Sequence, residues 1–281
     1  MSIAFIRWNV DPEIFNLGFW GLRYYSLLFV AGIVLGYIFM KKIFEKEKLS
    51  QELLDKLAIY VFFGTVLGAR LGHCIFYEWD YYQNHILEMI LPWRGTIGKD
   101  FEFVGYQGLA SHGGAIGIVI ALLIFSRLNK INFIRIMDYM GVVVPLAGAC
   151  IRFGNLFNSE IYGVETNLPW GFIFELRHET VPKHPTQLYE AFAYLAIFGI
   201  LYTLYLKKRH VLPRGFIFGW FLIMLFSARF FIEFIKEVQV DFESTMTLNM
   251  GQWLSIPFVL AGIALVIWSK SKTNTVKASK A

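Results

Sequence analysis

Charge is what this sequence has least of. Asp, Glu, Lys and Arg make up 17% of its 281 residues, against about 25% in an ordinary soluble domain. With 56% hydrophobic and 18% aromatic residues, the chain cannot clothe a soluble core in a polar skin. Cysteine is nearly absent too. Cys74 and Cys150 both sit inside apolar runs, which excludes a disulfide framework and Cys/His metal spacing and reads as small buried hydrophobes. No internal repeat or low-complexity segment appears, and no cleavable signal peptide is evident. The first long apolar run begins near Tyr24, behind a mixed and partly charged segment. The net charge of +5 forms no basic stripe interleaved with aromatics, so nucleic acid is not an expected partner.

What the chain has in quantity is apolar runs. Seven approach the roughly 17–25 residues a spanning helix needs: about 24–40, 57–77, 111–126, 137–157, 188–206, 215–235 and 252–269. The expected fold is an all-α polytopic membrane protein, a single membrane domain over residues 1–281. Bases cluster in alternate loops: Lys41, Lys42, Lys46, Lys48 and Lys56; Arg127, Lys130 and Arg135; Lys207, Lys208, Arg209 and Arg214; then Lys270, Lys272, Lys277 and Lys280. The positive-inside rule puts the N-terminus outside and the C-terminus, with the polar tail 270–281, in the cytoplasm. The loops at about 78–110 and 158–187 then lie outside and are long enough to build a small external head.

Several polar residues share one depth. Arg70, Arg152 and Arg229 fall 13–15 residues beyond the inner starts of outward-running helices, about 20 Å up a core roughly 30 Å thick. Tyr25, His112, His184 and Gln187 lie at the outer ends of the inward-running helices. Snorkelling accounts for any one arginine alone. It accounts poorly for Arg152 with Gly154, Asn155, Asn158 and Glu160 close behind, or for Arg229 one turn before Glu233 on the same helix face. Intramembrane ionisable groups are costly, and their convergence toward the outer leaflet marks a polar site.

Four segments carry a resemblance. Arg152-Phe153-Gly154-Asn155-Leu156-Phe157-Asn158-Ser159-Glu160-Ile161-Tyr162-Gly163 is the most specific. Ser111-His112-Gly113-Gly114 is the second; its glycines let a lipid or backbone approach closely. His184-Pro185-Thr186-Gln187-Leu188-Tyr189-Glu190 is the third, and Arg229 through Glu233 the fourth. Weaker matches are Tyr24-Tyr25, Gly68 to Gly72 and Gly251 to Ser255. Together they resemble, in order, the prolipoprotein diacylglyceryl transferase family. Ile151 stands where the family usually has Gly, and Leu225 where members often have Tyr.

The resemblance implies transfer of the diacylglyceryl group of phosphatidylglycerol to the lipobox cysteine of a preprolipoprotein signal peptide. It also implies a multi-pass protein of the bacterial cytoplasmic membrane with its site toward the outer leaflet. The residues suit that chemistry. Thiolate, not thiol, is the nucleophile, and an imidazole is a fitting base near neutrality, which makes His112 the candidate. A phosphate leaving group needs fixed cations, and arginine's planar fork matches its oxygens, so Arg152 and Arg229 complete the expected catalytic set. Tyr25, Arg70, Gly113, Gly114, Asn155, Asn158, Glu160, Gly163, His184, Gln187 and Glu233 are expected to bind or orient substrate. No cofactor or metal is expected, since the phospholipid is already an activated donor. A transporter or channel would show repeats and polar residues at several depths. An intramembrane metalloprotease would need His-Glu-x-x-His, and a rhomboid-like one a Gly-x-Ser-Gly setting around Ser111; both are missing.

Overall fold

The computed structural model describes residues 5–16, 21–95, 101–103, 105, 108–238 and 246–278. The helices are α1 (Tyr24–Lys46), α2 (Gln51–Phe76), the single turn α3 (Trp79–Tyr82), α4 (Ser111–Leu128), α5 (Phe133–Phe157), α6 (Thr186–Lys208), α7 (Phe216–Ile232) and α8 (Met250–Ala278). Among the described residues seven helices are long and apolar enough to cross a membrane, so the chain is a multi-pass, all-α membrane protein. Sheet among the described residues is confined to two-stranded pairs.

Most helices outrun their apolar cores. The apolar run of α2 begins near residue 57, yet the helix starts at Gln51, where the Ser50 hydroxyl accepts from Leu53 N and Lys56 pairs with Glu52 one turn away at 2.8 Å. Capping and an i,i+4 pair stabilise a polar turn that hydropathy does not register. The expected polar tail is helical as far as Ala278, and its last three residues, 279–281, lie outside the described residues. Part of the expected 78–110 head also lies outside them.

The chain divides into two compact units, Ile43–Ile136 and Met1–Lys42 with Met137–Ala281. In the first, α2 and α4 meet through glycines. A Cβ at Gly117 would stand 2.1 Å from Gly64 O, and one at Gly113 2.4 Å from Gly68 O. In lipid, burying apolar surface gives helices no net drive to associate, so close backbone packing must supply it. Arg70 closes the loop that follows α2 in this unit. It is 3% exposed and donates to Glu88 O at 3.0 Å, Met89 O at 3.2 Å and the Tyr82 hydroxyl at 2.9 Å.

In the second unit, α7 and α8 meet through Gly219 and Gly262, each of whose added Cβ would lie within 2.9 Å of the other's carbonyl. The start of α7 is capped from α5: the buried Asp138 carboxylate accepts from Gly215 N at 2.8 Å and Phe218 N at 2.9 Å. An acidic group there satisfies orphan N–H donors and meets the positive end of the helix dipole. Strand β1 (Ile6–Trp8) lies parallel to a strand at Phe172–Phe174. Trp8 Nε1 donates to Leu156 O at 3.1 Å, and Trp8, Tyr162 and Leu188 pack on buried Leu156, Phe172 and Phe174. This apolar knot fixes the end of α5 against the start of α6, where the polar residues gather.

Candidate active site

The signature segment folds back on itself at the end of α5. Arg152 and Asn155 are three residues apart and share a helix face. Arg152 Nη1 donates to Asn155 Oδ1 at 3.0 Å. The Asn155 amide then donates to Glu160 Oε1 at 2.8 Å, and Asn158 donates to the same oxygen at 3.2 Å. Tyr25 lies against Gly154, where a Cβ would sit 2.8 Å from the phenol ring. It is within electrostatic reach of Glu160 and Arg152.

Gln187, Glu190 and Tyr194 follow at i, i+3 and i+7 along the first turns of α6, one inward face. Glu190 is 0% exposed. Its carboxylate lies 2.6 Å from Arg152 Nε as an ion pair out of line for a hydrogen bond, and accepts from Lys236 Nζ at 3.1 Å. Lys236 also pairs with Glu233 at 3.2 Å. Glu233 in turn rests against Gly251, where a Cβ would come 2.5 Å from the carboxyl carbon. Arginine, glutamate, lysine and glutamate therefore form one buried run of alternating charge. Such a run is tolerable only when every member is paired.

Arg229 differs. Its Nε is buried and finds no acceptor among the described residues, although Tyr194 lies within its electrostatic reach. The helical spacing of Arg229 and Glu233 predicts that they face one another. The α-helix instead ends at Ile232, and Glu233–Ile235 is a 3₁₀ turn, whose tighter winding turns Glu233 toward Lys236. Arg152 likewise takes Glu190 as its carboxylate and reaches Glu160 only through Asn155.

Gly163 is the knot of three segments. Its N–H donates to His184 O at 2.8 Å, and a Cβ there would meet Ile235 O at 2.2 Å. His184 Nδ1 lies 3.2 Å from the Tyr189 hydroxyl, which accepts from Trp170 Nε1 at 2.8 Å. Burial lowers the pKa of His184. Nearby, burial and a hydrogen bond to Glu179 push the Tyr162 phenol up to about 12. Burial opposes the charge of Lys183, but Glu237 at 2.9 Å and Glu179 at 3.5 Å outweigh it and raise its pKa.

His112 and its glycines belong to the other unit. His112 is exposed at the first turn of α4, its ring edge-on to Phe76 at 5.4 Å and tilted to Tyr77 at 5.7 Å. The backbone that approaches Gly113 is that of α2, whereas Gly114 has ordinary clearance, 3.5 Å to the nearest atom.

Sequence reasoning did not single out Glu190 or Lys236 as site residues. Glu190 closes the third quoted motif and shares the Gln187 face, a spacing that points to it. Lys236 stands three residues after Glu233, a base ending an apolar span. Cys74 and Cys150 are buried and not joined in a disulfide. Among the described residues no group of three or more His, Cys, Asp or Glu is placed to hold a metal ion.

Seven spanning helices and a buried, charge-alternating cluster of arginine, lysine and carboxylates define a multi-pass membrane enzyme. The sequence profile of prolipoprotein diacylglyceryl transferases matches residues 12–268. A phosphatidylglycerol–prolipoprotein diacylglyceryl transferase of Bacteroides fragilis is 47% identical over 269 residues, 96% of this chain and 97% of its own. One of Tolumonas auensis is 43% identical, covering 93% of this chain and 96% of its own. One of Chloroherpeton thalassium is 40% identical, covering 98% of each. The chain belongs to the prolipoprotein diacylglyceryl transferase family.

Proposed function

We infer that this chain transfers the diacylglyceryl group of phosphatidylglycerol to the lipobox cysteine thiol of a preprolipoprotein, the first step of bacterial lipoprotein maturation. The sulfur attacks the glyceryl carbon that bears the phosphate ester. A C–S bond forms, the C–O bond breaks, and glycerol 1-phosphate leaves with the electron pair. The phosphate changes from diester to monoester and gains negative charge, so fixed cations lower the barrier.

The observation that supports this reading most is the buried Arg229 Nε without an acceptor among the described residues, in the same unit as the paired Arg152. A buried donor left unsatisfied costs about 1–3 kcal/mol, and a phosphate oxygen would satisfy it. Arg152, held by Glu190 and Asn155, is oriented to present its fork. Asn155, Asn158 and Glu160 order the segment that meets the glycerol hydroxyls, with Tyr25 beside it. His112 is the proposed base that takes the thiol proton. Gly163, His184, Gln187 and Glu233 hold the segments that carry these groups, and Arg70 and Gly113 hold the unit that carries His112, with Gly114 beside it on the same turn of α4.

The location proposed is the bacterial cytoplasmic membrane, with the N-terminus and the polar cluster on the outer side and the tail inside. The partners are phosphatidylglycerol, surrounding membrane lipids and the preprolipoprotein signal peptide. Labelled diacylglyceryl should pass from phosphatidylglycerol to a lipobox peptide in detergent. A protein that moves the lipid or the peptide across vesicles without joining them would be a transporter, and the reading would fall.

A further inference from the structure

Glu160 occupies a turn of costly backbone geometry. Ser159 at φ 52° and Ile161 at φ 61° flank it, both in the left-handed region. A β-branched residue is a genuine outlier there. Such a conformation persists only where its surroundings over-determine it.

Three side chains do so. Arg177 Nε donates to Ser159 O at 2.9 Å, Gln187 Nε2 to Glu160 O at 2.7 Å and Thr186 Oγ1 to Ile161 O at 2.8 Å. Arg177 Nη2 adds Asn158 O at 3.3 Å. Four successive carbonyls, 158 to 161, are thus held by donors from the stretch between the Phe172–Phe174 strand and the start of α6. Thr186 and Gln187 are each 0% exposed, so their donors have no water to turn to. The turn they hold delivers the Glu160 carboxylate to Asn155 and Asn158, and through Asn155 to Arg152.

We propose that Arg177, Thr186 and Gln187 form a carbonyl clamp that holds the strained Ser159–Glu160–Ile161 turn and so positions Glu160 for the transfer reaction. Arg177 and Thr186 are positioning residues that the sequence motifs do not mark for this task. The proposal rests on the transferase reading, in which Glu160 orients the reacting groups.

The test uses the full chain in detergent with phosphatidylglycerol and a lipobox peptide. Arg177→Met and Thr186→Val should each lower kcat about 10- to 100-fold, the scale of small misplacements, with KM for the lipid within about threefold. Arg177→Lys should retain more, because one ammonium still reaches one carbonyl. The deciding variant is Ile161→Gly, which removes the Cβ that makes the turn costly. Added to Arg177→Met, it should recover activity several-fold. Amide exchange over residues 158–163 should speed up in Arg177→Met and slow again in the double variant. Unchanged kcat in both Arg177→Met and Thr186→Val, or a double variant no better than Arg177→Met in activity and exchange, would overturn the clamp. A wild-type chain without transfer activity would instead sink the functional reading, and the exchange data would then judge the clamp by itself.

Discussion

Replacing Glu190 with Gln perturbs the buried run at its centre while keeping volume and shape. Glu190 is 0% exposed and faces Arg152 at 2.6 Å and Lys236 at 3.1 Å. With Glu233 the run carries two positive and two negative charges; Glu190→Gln leaves it one positive charge in excess, without solvent to screen it. Charges about 4 Å apart attract by about 4 kcal/mol at an effective dielectric of 20. Two such attractions are lost, partly offset because the carboxylate no longer has to be desolvated. Breaking a buried pair from one side costs about 3–5 kcal/mol, and that is the destabilisation expected. Adding Lys236→Met removes the cation left in excess, so the double variant should be less destabilised than the sum of the singles by about 1–3 kcal/mol. Tryptophan-monitored unfolding in detergent, run as a double-mutant cycle, reads both quantities. A Glu190→Gln protein as stable as wild type, or strict additivity with Lys236→Met, would refute the charge-balanced run.

Four further outcomes follow from the same geometry. Gly113→Ala should sharply reduce the yield of folded protein, since its Cβ would meet Gly68 O at 2.4 Å, whereas Gly114→Ala, with 3.5 Å of clearance, should melt within a few degrees of wild type. Arg152→Lys should lose nearly as much transfer as Arg152→Ala, because Lys cannot pair with Glu190 and Asn155 together; Arg229→Lys should retain more, as a point charge beside the phosphate. His112→Gln should lose about 10²–10⁴-fold of transfer at neutral pH and regain part of it at high pH, where the acceptor thiol ionises unaided. His184 has a folded pKa below its ordinary value, so between that value and about 6.5 the unfolded chain binds more protons. Its contribution is present above about pH 6.5 and is lost as pH falls; thermal stability should drop across that window, and less steeply in His184→Gln.

The spanning helices were legible because lipid demands long apolar runs with their backbone bonds closed internally. Their ends were not. The first turn of α2 is stabilised by Ser50 and the Glu52–Lys56 pair, and the tail of α8 by helical continuity through polar residues, neither of which raises hydropathy. The parallel pairing of Ile6–Trp8 with Phe172–Phe174 joins segments more than 160 residues apart, and no local pattern encodes it.

Within the site, the signature arginines and asparagines were legible as residue types in order. Their partners were not, because pairing depends on backbone geometry. A 3₁₀ turn carries Glu233 from Arg229 to Lys236, and left-handed Ser159 and Ile161 carry Glu160 back to Asn155. Of the two glycines after His112, Gly113 was legible as a point of close approach, where the approaching backbone is that of α2, whereas Gly114 has ordinary clearance.

The inferred reaction joins a phospholipid's diacylglyceryl group to a cysteine sulfur on one protein. Purified chain, phosphatidylglycerol and a lipobox peptide, followed together by mass spectrometry and glycerol 1-phosphate release, test it most directly. The expected outcome is a peptide heavier by one diacylglyceryl group on the cysteine sulfur, one glycerol 1-phosphate per modified peptide, and no reaction with a peptide whose cysteine is serine. Glycerol 1-phosphate released without peptide modification, or an unchanged peptide beside intact lipid, would contradict it.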